Sequence, residues 1–152
     1  MATTNEDAVA LATARFADGR VLILRHLPDR GTIEIGWWRR DERDSLVQVP
    51  PMLELAAEAA ELQAFAGLAE RVAAAEWAAV AEGAEIAAAG PFSDGVRLAA
   101  LRTGDGTAFV RQPETDLLVL LPRPALERMV EELLPAAFAK RARLGFGRVK
   151  CS

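Results

Sequence analysis

The chain has 152 residues, 51% of them hydrophobic, a single Cys and a formal charge of −4, which suits one domain or two half-size units sharing a core. Chains of this size bury roughly 68 to 70% of their unfolded surface, so neither a metal nor a disulfide is needed to hold the fold. The lone, penultimate Cys151 excludes an internal disulfide and fits a reducing compartment.

The first sixteen residues place Glu6 and Asp7 before the first Arg and interrupt their apolar residues with Thr, unlike a signal or transit peptide. No later stretch approaches the ~20 apolar residues of a membrane span, so a soluble cytoplasmic protein without a membrane partner is expected. Val9, Leu11 and Thr13 alternate with small Ala as a first strand, Asp18-Gly19 marks a hairpin turn, and residues 21–24 return as a second strand. After a turn at residues 28–31, Ile33, Ile35 and Trp37 share one face of a third strand, and residues 46–49 form a fourth. Pro50-Pro51 is expected to stop the ladder and preset a helical turn, since Pro has no amide hydrogen to lose there. The helix that follows carries an apolar line through Leu55, Leu62, Phe65, Ala69 and Val72, with Glu54, Glu58 and Glu61 turned to solvent and Gly67 a point where it can kink or split. The plan then repeats, with strands near residues 86–92, 96–102, 107–111 and 117–121. A last helix runs from Pro124 to about Arg143 with Leu126, Val130, Leu133 and Ala137 as its buried stripe.

Self-similarity supports that repetition. Phe16-Ala17-Asp18-Gly19 recurs as Phe92-Ser93-Asp94-Gly95, Gly31-Thr32 as Gly106-Thr107, and Leu46 to Pro50 as Leu118 to Pro122. The expected fold class is α+β, built of two duplicated ββββα units (1–82 and 83–143) packed as an intramolecular pseudo-dimer, with a basic tail over 144–152. Charge is unevenly spread along this plan: −1 over residues 1–50, −6 over 51–90 and +3 over 91–152, with no acid after Glu132. Sixteen Arg against two Lys, with abundant Ala, has the look of a GC-rich bacterial genome and carries no mechanism.

Two ββββα units in one chain resemble the architecture of PC4-type coactivators, Whirly proteins and PUR-repeat proteins. The local likeness lies in residues 16–25, where an aromatic, a Gly-basic turn, an apolar strand and an Arg follow one another. Members of that group pair two such units and bind single-stranded nucleic acid on the sheet surface. The resemblance implies that role for Arg20, Arg25 and the strand around Trp37. This chain departs from the group in having no Tyr, almost no Lys, and Gly95-Val96 in place of the second Gly-Arg turn.

The residues themselves point the same way at Trp37-Trp38-Arg39-Arg40. Adjacent strand residues face opposite ways, so one indole enters the core and the other is left outside, where it can stack on bases beside Arg, cover the sheet edge or meet the second unit. Candidate nucleic-acid contacts are therefore Arg20, Arg25, Trp37, Trp38, Arg39 and Arg40. Lys140, Arg141, Arg143, Phe146 and Arg148 form a second candidate set, either docking a partner or simply complementing the dipole of the last helix. No nucleophile and base can be paired around the single His26 and the few Ser residues. The Gly-rich 103–107 segment lacks the Gly-Lys-Ser/Thr of a phosphate loop and reads as a turn. The expectation is a non-enzymatic protein without cofactor or metal that binds single-stranded nucleic acid or regulates transcription. The alternative is a protein-interaction or scaffolding module using the same sheets and the Ala-rich helix, with a small-molecule binding domain as a third reading, and a homo-oligomer is compatible with each.

Overall fold

The computed structural model describes residues 8–57, 59–92 and 94–144. The alternating segments become strands β1 (Val9–Arg15), β2 (Val21–Leu27), β3 (Thr32–Arg40) and β4 (Leu46–Ala56), which pair antiparallel in that order. A second sheet forms in the same way from β5 (Glu85–Ala89), β6 (Arg97–Thr103), β7 (Gly106–Gln112) and β8 (Leu118–Pro122). Helix α1 (Ala59–Ala73) follows the first sheet, running uninterrupted through Gly67. After the second sheet come α2 (Arg123–Arg128), a π turn (Met129–Leu133) and α3 (Leu134–Leu144) in direct succession. The chain is thus α+β, two similar four-stranded sheets each followed by helix.

The described residues of the first repeated motif make the same two backbone hydrogen bonds in both halves. The Phe16 amide donates to the Arg20 carbonyl (3.0 Å) and Gly19 to Phe16 (3.0 Å); Phe92 donates to Val96 (2.8 Å) and Gly95 to Phe92 (2.9 Å). Gly19 and Gly95 hold φ of +91° and +84°, a left-handed conformation that costs glycine little. The other two motifs are not structurally equivalent. Thr32 pairs with Leu27 on the outward face, whereas Thr107 pairs with Arg102 on the inward face, and a one-residue offset in a strand reverses the face of every side chain. Leu118 to Pro122 corresponds to the end of β4, because Val119 and Leu121 lie opposite Phe109 and Thr107 as Leu53 and Leu55 lie opposite Ile35 and Ile33.

That correspondence corrects the expected end of the first sheet. β4 does not stop at Pro50 but continues to Ala56, its register jumping between Ile35 and Trp37 of β3. The prolines lie at this irregularity, where no ladder donor is lost. Leu55 consequently belongs to the strand, while Leu62, Phe65, Ala69 and Val72 form the buried stripe of α1. In β1 a bulge between Ala10 and Ala12 shifts the alternation, so Leu11, Ala12 and Ala14 are buried in place of Thr13. Glu61 is not a solvated helix residue. It is 5% exposed, accepts a hydrogen bond from the Ala56 amide (3.0 Å) and pairs with Arg111 of β7 (3.4 Å). Glu54 lies on β4 and pairs with Arg30 (2.9 Å).

Each helix packs beyond its own sheet. α1 lies against β5 and β6, with Phe65 edge-on to Phe109 at 5.1 Å, and α3 lies against β1, where Lys140 Nζ donates to the Ala10 carbonyl (2.7 Å). One continuous apolar core results, running from Leu22, Ile33 and Leu55 through Leu62 and Phe65 to Phe109, Leu121 and Leu126. α1 has spent its apolar face on that core, so it offers no open apolar stripe for docking.

Candidate functional site

Alternation along β3 sends Trp37 inward and Trp38 outward. Trp37 is 6% exposed, its Nε1 donating 2.7 Å to the Leu120 carbonyl of β8, so it ties the two sheets together and is not the indole left for bases. Phe16 meets it edge-on at 5.2 Å and the Arg20 guanidinium lies 4.1 Å from its ring centre. The aromatic and the basic residue of the first hairpin motif therefore both serve Trp37. Asp18 holds Arg20 Nε at 2.8 Å and also accepts from its main-chain amide (3.0 Å). That backbone bond first, and the guanidinium second, lower the Asp18 pKa.

Trp38 lies on the outward face of the first sheet, half-buried, with the Arg25 guanidinium 4.7 Å from its ring centre. Arg25 and Glu34 stand directly opposite across β2 and β3 and form an ion pair of 2.7 Å, at 9% and 5% exposure. Gln48 Nε2 donates to the same Glu34 oxygen at 3.0 Å. Met52 crosses the strand at Gly36, where any Cβ would come within 1.7 Å of its sulfur. Beside this cluster runs an open groove of about 570 Å³, bordered by Arg25, Arg30, Glu34, Met52, Glu54 and the 116–117 loop. Its ionisable lining is Arg25 and Arg30 against Glu34, Glu54 and Asp116, and both arginines are paired within it.

The remaining candidates scatter. Arg39 and Arg40 are exposed at the end of β3, and Arg40 is engaged by the Asp44 carbonyl (2.7 Å) and carboxylate (3.6 Å). Arg141, expected in a docking surface, is instead 4% exposed and donates to the Ala57 carbonyl at 2.6 Å, with burial lowering its pKa. Lys140 is committed to Ala10, Arg143 is exposed, and Phe146 and Arg148 lie outside the described residues. His26 shares the inward face with Leu22 and Leu24, and its pKa is lowered by burial first and the Arg141 charge second. Among the described residues no group of three His, Cys, Asp or Glu comes close enough to hold a metal ion, and no helix is long and apolar enough to cross a membrane.

A second concavity lies where the sheets meet. A cleft of about 300 Å³ is walled by Trp37, Val49, Pro50, Pro51, Leu120 and Pro122, with Arg20 its one ionisable lining residue. Leu120 is 47% exposed and continues onto the outward face of the second sheet, where Ala99, Ala108 and Val110 are also apolar. Sequence reasoning missed Glu34, Gln48, Met52 and Leu120, although counting back from the turn at residues 28–31 puts Glu34 opposite Arg25. No family model, curated protein or solved structure matches the chain.

Proposed function

We propose that the protein is a non-enzymatic protein-interaction module whose groove on the first sheet holds a polypeptide segment carrying both signs of charge. The observation that carries this reading is the lining itself: two arginines against three carboxylates, with both arginines already paired. Phosphate-tracking surfaces draw their affinity from cations that displace counterions. A nucleic-acid strand here would meet net negative charge and would have to separate the buried Arg25–Glu34 pair. A polypeptide can present an anion to Arg30 and a cation to Glu54 or Asp116 in one pass.

The test is a fluorescence titration of the full chain at about 20 to 50 mM salt, where weak phosphate contacts are strongest. Peptides mixing Lys, Glu and apolar residues should perturb Trp38, and the response should vanish in Trp38→Phe. Oligodeoxythymidylate should leave the emission unchanged. Quenching by the oligonucleotide that is lost in Arg25→Gln would instead hand the site to single-stranded nucleic acid.

A further inference from the structure

We infer that the cleft at the junction of the two sheets is a binding site for a small aromatic or branched aliphatic monocarboxylate. Its walls present carbon: the one polar atom of the Trp37 ring is consumed by the Leu120 carbonyl, and Val49, Pro50, Pro51, Leu120 and Pro122 supply only aliphatic side chains. The volume of about 300 Å³ is at the small end of ligand pockets and suits a body of roughly ten heavy atoms. Leu120, 47% exposed at the mouth, is a large apolar side chain that folding leaves uncovered.

The single charge in the lining fixes the polar end of the ligand. Asp18 engages Arg20 through Nε, and among the described residues neither terminal nitrogen of that guanidinium has a protein partner. Those two nitrogens can grip a carboxylate in the forked geometry that strengthens such pairs. Stacking on Trp37 at 4.1 Å and the Asp18 bond hold the guanidinium at the cleft wall before a ligand arrives. An extended peptide is a poorer fit, because Pro50 and Pro51 offer no N–H groups with which an added strand could pair. This site adjoins the peptide groove, with which it shares Pro50 and Pro51, but Arg20, Trp37 and Leu120 line the cleft alone and its ligand does not depend on the groove being occupied.

The experiment titrates 3-phenylpropionate into the full chain at low salt, following indole fluorescence and the Trp37 Nε1–H resonance. Saturable binding is expected, with 3-phenylpropanamide weaker by roughly tenfold because it forfeits the charge-assisted pair. Propionate, lacking the apolar body, should be weaker still. Arg20→Gln should bind acid and amide alike, and Leu120→Asp should abolish binding of the acid. Both side chains reach solvent, and circular dichroism would verify that each variant folds. Absence of saturation below about 10 mM, a limit set by the affinity of a small weak ligand, would overturn the proposal. So would equal binding of acid and amide by the unaltered protein, or an Arg20→Gln variant that keeps the preference.

Discussion

Neighbouring tryptophans in one strand have opposite duties, and each can be read through a single substitution. Trp37→Phe keeps most of the ring but leaves the Leu120 carbonyl without its donor at the edge of β8. Removing one partner of a buried hydrogen bond costs about 1 to 3 kcal/mol; this bond is part-buried, so an unfolding free energy lower by about 1 kcal/mol, read from urea denaturation, is expected. Beside Trp38, Arg25→Met strands the Glu34 carboxylate at 5% exposure with only Gln48 as a donor. Breaking such a pair from one side costs about 3 to 5 kcal/mol, whereas replacing both partners with apolar residues is commonly near neutral. The double variant Arg25→Met/Glu34→Leu should therefore recover most of the lost stability, and two equally unstable variants would show that the pair contributes nothing specific. The inward and outward assignment of residues 37 and 38 follows from strand alternation. The ion pair beneath Trp38 depends on the register as well, which the hairpin turn at residues 28–31 sets by pairing Leu27 with Thr32 and hence Arg25 with Glu34.

At the scale of elements, the strands were legible because their alternation and their turn glycines agree, and β4 was misread because Pro-Pro ordinarily ends a ladder. Here the prolines fall where the register of β3 jumps, beside Gly36, and the strand resumes with Leu53 and Leu55 in the core. Two glycines distinguish a flexible neighbour from a rigid one. At Gly36 a Cβ meets the far end of Met52, which can swing aside, so Gly36→Ala should change stability by under about 1 kcal/mol. At Gly106 it meets the Leu121 carbonyl oxygen at 2.8 Å and Pro122 Cα at 3.1 Å, so Gly106→Ala should cost about 2 kcal/mol as backbone is displaced. Denaturant unfolding of the pair checks the order; equal losses would mean that β8 yields as readily as a methionine.

The docking of α3 on the first sheet has a pH signature. His26, inward on β2, is held neutral by burial and by the Arg141 charge from α3. Its folded pKa lies below the unfolded value near 6.5, so the unfolded chain binds the proton first. Stability from this residue is complete above about pH 6.5 and is lost as pH falls through the folded pKa, at no more than about 1.4 kcal/mol per pH unit for one proton. Urea midpoints measured from pH 8 to 5 should decline in the native chain and decline less in His26→Gln. Parallel curves would remove His26 as the cause.

For the whole molecule, the repeat in the sequence correctly suggested two similar sheets, but it did not reveal that the helices serve both. Their apolar stripes were visible; which sheet each stripe covers depends on the path of the chain between units, to which periodicity is blind. α1 buries Phe65 against Phe109 of the second sheet, Glu61 reaches Arg111 there, and α3 closes over β1 of the first. A fragment of residues 1–82 would leave β1, with its buried Leu11, without α3, and a fragment of residues 83–144 would leave Phe109 and the strands β5 and β6 without α1. Neither retains a closed core, and because domains of this size are stable by only about 5 to 15 kcal/mol, neither half can give up the apolar burial that the missing helix supplies without a large loss of stability. Each fragment should therefore be largely unfolded alone, and mixing the two should restore native circular dichroism and the buried Trp37 emission. The intact chain should accordingly unfold in one transition, with indole emission and far-ultraviolet ellipticity changing together. Two separated transitions, or a fragment that folds unaided, would show that each sheet carries enough core of its own and that the helix exchange is incidental to stability.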